Sequence, residues 1–323
     1  MEIYSIKRLK QKFKIIDQTL LPHLEKYLII DNYRMMIDAI KRLAIRGAPA
    51  IGIASAAAIY LACKEFISEL DYTTKIKKVI NEIEATRPTA VNLFHITKKA
   101  SEIIKLPTNL HFLEFDNLIN EIMRYEYNAC ELMAENGLRI IPDSYTKFLT
   151  HCNTGSLATY GRGTALGVIK NIAKSRIIEV FVDETRPLLQ GSRLTMWELQ
   201  KHCIKCILIT DNMAARTIES KKIHAIIVGA DRIASNGDVA NKIGTYNLAI
   251  LAKYFKIPFY VVAPQSSFDY SIKSGKEMMI EERCRTEVEL IKNIRITVDN
   301  VDVYNPAFDI TPNELVTDFI SDL

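Results

Sequence analysis

The spacing of apolar residues changes partway along this chain. Up to Pro142 most apolar positions recur every three or four residues, the period of an amphipathic helix. Two short runs come first, residues 13–17 and 27–30, and these predict strands. Helices are predicted over residues 33–44, 49–66, 74–85, 90–105 and 113–137, with Gly137 as the last terminator and Pro142 as the exit. Beyond this point the pattern becomes short apolar runs, each closing on a polar residue and followed by a helical stretch. The runs are residues 148–151, 177–183, 206–211, 225–231 and 259–264. Continuous Val/Ile runs alternating with helices predict a parallel sheet covered on both faces.

The expected fold class is therefore α/β. A Rossmann-like, doubly wound domain is preceded by a smaller, mainly helical domain with a few N-terminal strands. A boundary between Ile140 and Tyr145 assigns residues 1–143 to the strands and helical bundle and residues 144–323 to the Rossmann-like part. In such sheets ligands bind beyond the carboxyl ends of the strands. The residues placed there are Cys152, Asn153, Asp183, Glu184, Asp211, Asn212 and Asp231.

Composition narrows the function classes. The chain has 323 residues, 48% hydrophobic and 25% charged, as an ordinary globular protein does. A net charge of +4 without a clustered basic surface argues against nucleic-acid binding but suits a small anionic substrate. Its densest basic stretch, residues 7–14, is interleaved with apolar positions and reads as a solvated strand edge. The longest apolar run, residues 51–63, is short and alanine-rich, so a buried helix is expected and no membrane partner. The six cysteines are scattered and no secretory signal precedes the first elements, which predicts a reducing, cytoplasmic setting. Cys203 and Cys206 form a lone C-x-x-C. Zinc would need two further ligands, so a structural role is expected there.

Several segments carry candidate chemistry. Arg46-Gly47-Ala48-Pro49 opens a helix, where Pro49 suits the first turn and the amides ahead of it can meet an anion. Arg87-Pro88-Thr89 separates two helices, with Pro88 as a stop, Thr89 as a cap and Arg87 held at the junction. Each arginine could equally pair with a surface carboxylate. Cys152 follows the first strand of the parallel sheet; most cysteines are simply small buried hydrophobes, but this position is where chemistry is done. Asp231 closes another strand amid apolar neighbours. It is a candidate for a raised pKa and hence a general acid, unless it is tied to Arg232 or caps a helix. Lys242 near a helix start is a natural phosphate partner, although an isolated lysine is usually a surface residue. Gly161, Gly163 and Gly167, with Asp183 about twenty residues on, loosely match a dinucleotide-binding turn. That would make the chain an NAD-dependent oxidoreductase. Against this, residues 153–160 intervene between the strand and the first glycine, so a loop approaching a substrate is the preferred reading.

Read together, seven segments resemble the methylthioribose-1-phosphate isomerases, enzymes of methionine salvage. They are IRGAPAIGIASA (residues 45–56), TRPTAVNL (86–93), LTHCNTGSLAT (149–159), ETRPLLQGSRLT (184–195), LITDNMA (208–214), VGADRIASNGDVANKIGT (228–245) and VYNPAFDITP (303–312). The resemblance covers nearly the whole chain. It implies a homodimer that needs neither metal nor nicotinamide, and a substrate phosphorylated on its anomeric oxygen. Such a sugar cannot open its ring spontaneously, so the enzyme must force opening. By the same resemblance Cys152 and Asp231 are catalytic, with Asp231 a proton donor, and Arg46, Gly47, Ala48, Arg87, Gln190, Asn241 and Lys242 bind substrate. Hydrogen then moves from C2 to C1, either as a proton through an enolate or as a hydride. An apolar wall would favour the hydride.

Family members commonly read ATAGYGTALG where this chain has residues 158–167 with Tyr160 and Arg162. That departure leaves a 5-deoxy or other 5-substituted ribose 1-phosphate as an alternative substrate. Ribose 1,5-bisphosphate isomerases are similar to the chain but less so over residues 157–167 and 188–195. Regulatory subunits of the eukaryotic translation-initiation exchange factor resemble it in fold. They are binding and assembly proteins that lack the combined Cys152 and Asp231 pattern.

Overall fold

The computed structural model describes residues 3–87 and 91–323. The expected stop at Pro88 and cap at Thr89 lie outside the described residues. The chain divides into two compact units. One comprises Met1–Leu132 with Thr154–Gly163 and Asp322; the other comprises Met133–Asn153, Thr164–Ser321 and Leu323.

The first unit begins with an antiparallel sheet of β1 (Ile6–Leu9), β2 (Lys12–Ile16) and β3 (Tyr27–Ile30). The basic stretch is the β1–β2 hairpin, with Lys7, Lys10 and Lys12 exposed and Lys10 in the left-handed region at its turn. Five helices follow: α1 (Tyr33–Lys41), α2 (Ala48–Phe66), α3 (Tyr72–Glu84), α4 (Val91–Ile103) and α5 (Thr108–Ile140). Asn32 caps α1 by accepting from the Met35 amide. α2 is apolar on every side and packs against α1, α3 and α4. Its length and composition would suffice to cross a membrane, yet 83% of its apolar window is buried within the fold. It is a core helix, as its alanine content predicts.

α5 does not stop at Gly137. The helix continues to Ile140, and Ile141 N–H still donates to Gly137 O at 3.0 Å. Gly137 is there for packing. A Cβ on it would sit 2.4 Å from Val168 Cγ1 of α6 (Ala165–Ile172), so the two helices can meet only at a residue without a side chain.

The second unit holds a six-stranded, wholly parallel sheet. Its strands are β4 (Lys147–Thr150), β5 (Glu179–Asp183), β6 (Lys205–Ile209), β7 (Ala225–Val228), β10 (Phe259–Val262) and β15 (Asp318–Ile320), in the order β15-β10-β7-β4-β5-β6. The connecting helices are α6, α7 (Met196–Lys201), α8 (Ala214–Lys221) and α9 (Thr245–Phe255). Phe148, Phe181 and Phe259 are fully buried on three of these strands, each worth about 2–3 kcal/mol of burial. From β4 the order runs one way through β5 and β6 and the other way through β7 and β10. Right-handed crossovers then place helices on both faces, the doubly wound arrangement. β15, a three-residue edge strand, carries too little pattern to be seen in sequence.

A second sheet, β11-β8-β9-β14, is built from β8 (Arg232–Ala234), β9 (Val239–Lys242), β11 (Phe268–Asp269) and β14 (Phe308–Thr311). A short helix, α10 (Thr286–Glu289), leads into the hairpin of β12 (Leu290–Ile291) and β13 (Ile294–Arg295).

Candidate functional site

The sheet order reverses direction between β4 and β7. This is the topological switch point, where crevices open in doubly wound sheets. Cys152 lies two residues beyond β4 and Asp231 three beyond β7. The strands are in register through Leu149 and Ile226, and Thr150 Oγ1 donates to Ile227 O at 2.8 Å. Cys152 and Asp231 thus leave adjacent strands at the same edge.

Cys152 is buried and held in the left-handed region with φ 62°. That conformation costs a non-glycine residue about 1–3 kcal/mol, and it persists because hydrogen bonds on both sides enforce it. Its amide donates to Thr185 Oγ1 at 2.8 Å, and its carbonyl accepts from Thr195 Oγ1 at 2.6 Å. Thr185 is itself left-handed, with φ 64°, and its hydroxyl donates onward to Asp183 O. Next door, Asn153 Nδ2 donates to Glu198 Oε1 at 2.9 Å, and Glu198 faces the buried Lys170 ammonium at 3.4 Å. The turn after β4 is therefore tied to the β5–α7 segment at several points.

On its other side stands His151, buried, with Nδ1 2.9 Å from Asp183 Oδ2 and Nε2 2.9 Å from Ile243 O. Burial alone would favour a neutral imidazole. The Asp183 carboxylate, the Asp211 charge and the Ile243 carbonyl outweigh it and move the His151 pKa upward. Burial also raises Asp183, helped by Asp211 and opposed by His151. His151, Asp183 and Asp211 bring one potential metal-ligand atom each within 4.8 Å of one another. Most of their atoms are committed: both Asp211 oxygens accept backbone amides, from Thr185 at 2.8 Å and Arg186 at 2.7 Å, and Asp183 Oδ2 bonds His151, while the buried Asp183 Oδ1 has no hydrogen-bond partner among the described residues. The donor set fits a hydrogen-bond cluster better than a metal centre.

Asp231 is half-buried, and its amide donates to Ala240 O at 3.0 Å. That bond sets it beside the strand carrying Asn241 and Lys242. The neighbouring Arg232 is engaged by Asp269. Asn241 is buried and donates to Thr245 Oγ1 at 2.9 Å. Lys242 Nζ donates to Ala307 O at 2.8 Å and lies over the Phe308 ring. Gln190 is buried just before a π-helical turn, Gly191–Thr195, and its Oε1 has no hydrogen-bond partner among the described residues. Such an orphaned acceptor calls for a donor, which a sugar hydroxyl would supply. Gly191 is obligatory there, because a Cβ would fall 1.7 Å from Asp183 O.

In the first unit, Arg46 and Arg87 are half-buried. Gly47 has φ 93°, and a Cβ on it would lie 2.3 Å from Ala158 O. Of the first amides of α2, that of Ala50 donates to Ala158 O and Pro49 has none. The amides of Gly47 and Ala48 are those an anion at this helix start could use.

The dinucleotide reading fails on geometry. Gly161 and Gly163 belong to a segment packed with the first unit, where Gly163 bridges to Gly155 and a Cβ on Gly163 would lie 2.5 Å from Gly155 Cα. They lie late in the long connection from β4 to α6, not in a tight turn directly after the strand, and Asp183, the proposed ribose acid, has one oxygen bound to His151. The Tyr160 ring lies 5.9 Å from that of Tyr4, tilted by 38°, and Arg162 forms an ion pair with Glu131 at 2.6 Å. Cys203 and Cys206 straddle the α7–β6 junction, Cys203 exposed with φ 55° and Cys206 on the strand.

His151 and the threonines 185 and 195 were not picked out from sequence. A signal existed for His151 alone, as a titratable residue at a strand's carboxyl end beside Cys152.

Comparison with known proteins bears on the family and the fold. The Initiation factor 2 subunit family matches residues 44–323. A protein named methylthioribose-1-phosphate isomerase from Petrotoga mobilis is 48% identical over 319 residues, covering 95% of this chain and 90% of that protein. The crystal structure of 5-methylthioribose 1-phosphate isomerase from Pyrococcus horikoshii superposes with a TM-score of 0.90 at 38% identity, covering 99% of this chain and 91% of that one. A structure described as translation initiation factor eIF-2B, subunit delta, from A. fulgidus gives 0.87 at 40% identity, covering 99% and 94%. With the match spanning both units and the sheet that carries Cys152 and Asp231, the chain belongs to the Initiation factor 2 subunit family.

Proposed function

We propose that this chain is an aldose–ketose isomerase that converts 5-methylthio-D-ribose 1-phosphate into 5-methylthio-D-ribulose 1-phosphate in methionine salvage. The observation that carries the reading is 48% identity over 95% of the chain to a protein of that name. The switch-point placement of Cys152 and Asp231 supports it. The A. fulgidus neighbour bears on a second reading, a non-catalytic regulatory subunit, which the assay below separates from catalysis.

We assign Asp231 as the acid that gives its proton to the ring oxygen as the C1–O bond breaks. Hydrogen at C2 then moves to C1 and the C2 hydroxyl proton is returned to the Asp231 carboxylate, leaving a carbonyl at C2 and the phosphate still on O1. In the proton route Cys152 takes hydrogen from C2 and returns it to C1; in the hydride route the hydrogen shifts directly. Within the second unit Gln190, Asn241 and Lys242 are the substrate contacts we assign, Gln190 through its unsatisfied Oε1. Within the first unit we assign Arg46, Arg87 and the amides of Gly47 and Ala48. A cytoplasmic homodimer is the state supported by the family resemblance, and light scattering on the purified chain tests it.

Turnover of methylthioribose 1-phosphate, measured beside ribose 1,5-bisphosphate and 5-deoxyribose 1-phosphate, tests the function. The first should show the highest kcat/KM. Preference for another sugar would correct the substrate, and no turnover of any would overturn the reading.

A further inference from the structure

His151 is bonded through both ring nitrogens, one to a backbone carbonyl and one to a carboxyl group. Ile243 O can only accept, so Nε2 must carry a proton. Across 2.9 Å, Nδ1 faces Asp183 Oδ2. If neither carried a proton, two lone pairs would face each other in a site closed to water, since both side chains are 1–2% exposed. One proton must lie between them, on the imidazole or on the carboxyl.

The surroundings retain that proton. Three carboxylates face the ring: Asp183 at the end of β5, Asp211 after β6 and Asp309 on β14. Asp211 spends its oxygens on the Thr185 and Arg186 amides, and Asp309 spends its own on the Gly244 and Tyr246 amides. Glu184 adds a fourth, half-buried carboxyl near Asp211.

The pair also joins what the reaction needs kept apart at a set distance. His151 precedes Cys152, and Ile243 follows Lys242. The His151–Ile243 bond therefore links the turn after β4 to the end of β9, across 92 residues of sequence. Gly244 makes this contact feasible: with φ 103° it brings the backbone so close that a Cβ would lie 2.9 Å from His151 Cε1.

We propose that His151 and Asp183 hold one shared proton throughout the neutral range, and that the pair so protonated positions the Cys152 turn against the Asn241–Lys242 strand end. The positioning role rests on the reading that Cys152 and Lys242 serve the isomerisation; the shared proton does not. His151 is a positioning residue, since it acts through Cys152 and Ile243.

Two measurements test this. Nitrogen-15 NMR of the full-length chain, with histidine ring nitrogens labelled and His151 assigned from its response to Asp183→Asn or His151→Gln, follows the ring without any substrate. Its signals should not titrate between about pH 6 and about pH 8, where an ordinary histidine with pKa about 6.5 would. A titration midpoint inside that window would overturn the proposal. Kinetics then test the positioning. In Asp183→Asn the ring loses its anionic partner and should titrate near its ordinary range. The ratio of variant to wild-type kcat should then fall at least about fivefold from about pH 6 to about pH 8. A flat ratio would reduce the pair to a packing role. If Asp183→Asn does not fold, the NMR result on the wild type still decides the shared proton. If the wild type turns over no pentose phosphate, that failure belongs to the assigned function and leaves the NMR result standing.

Discussion

Arg232 Nε donates to Asp269 Oδ2 at 2.9 Å, alongside the parallel β8–β11 pair. Burial works against ionisation of Asp269, but hydrogen bonds from Ser271 and Arg232 outweigh it and hold its pKa below the usual range. The guanidinium adjacent to Asp231 in sequence is thereby spent on another carboxylate.

Asp231→Asn keeps the shape of the side chain and removes the transferable proton. We expect kcat to fall by about a hundredfold or more, with folding and substrate affinity largely kept. Cys152→Ser should behave alike, since the Thr185 and Thr195 bonds that fix residue 152 involve its backbone alone. Steady-state kinetics beside calorimetric titration with substrate make the check. Near-normal turnover in either variant would remove that residue from the mechanism.

Arg162 departs from the family pattern, and it pairs with Glu131 while about a third of its side chain stays exposed. A pair of this kind is worth about 0–1 kcal/mol. Arg162→Tyr should leave the ratio of kcat/KM for methylthioribose 1-phosphate to that for ribose 1,5-bisphosphate within about threefold. A change beyond about tenfold would mean that Arg162 reaches the 5-substituent.

Gly137→Ala sets two effects against each other. In a helix interior the alanine gains about 1 kcal/mol in propensity. Against Val168, 2.4 Å from the new Cβ, overpacking costs about 1–3 kcal/mol. The expected outcome is a net loss, read as a lower urea midpoint at unchanged slope. A higher midpoint would show that α6 can withdraw without penalty.

Glu126 is buried in α5, and burial, with the Asp322 charge second, pushes its pKa up to about 8. Between about pH 4.5 and about 8 the folded state keeps a proton that the unfolded chain has released. Its contribution to stability is greatest below the unfolded pKa and is lost as pH rises through the folded one. Glu126→Gln should remove this slope and, near pH 8, exceed the wild type by on the order of a few kcal/mol. Denaturation curves across that range decide it; parallel pH profiles for the two proteins would contradict the assignment.

What the sequence determined by itself was local period and motif. Three- and four-residue spacing marked the helices from α1 to α5, and continuous Val/Ile runs marked β4, β5, β6, β7 and β10, because burial of one face or of both leaves those periods in the residues themselves. It also placed Cys152 and Asp231 at strand ends, since the polar residue closing an apolar run is visible without a fold. Tertiary structure decided the rest. Gly137 reads as a terminator until Val168 is seen against it, because a glycine chosen for contact looks like one chosen for a turn. Residues 154–163 join the first unit although they follow β4, and that placement undoes the dinucleotide turn. The His151 bonds to Asp183 and Ile243 span 32 and 92 residues. Partners that far apart are set by strand order and register, which no local pattern records.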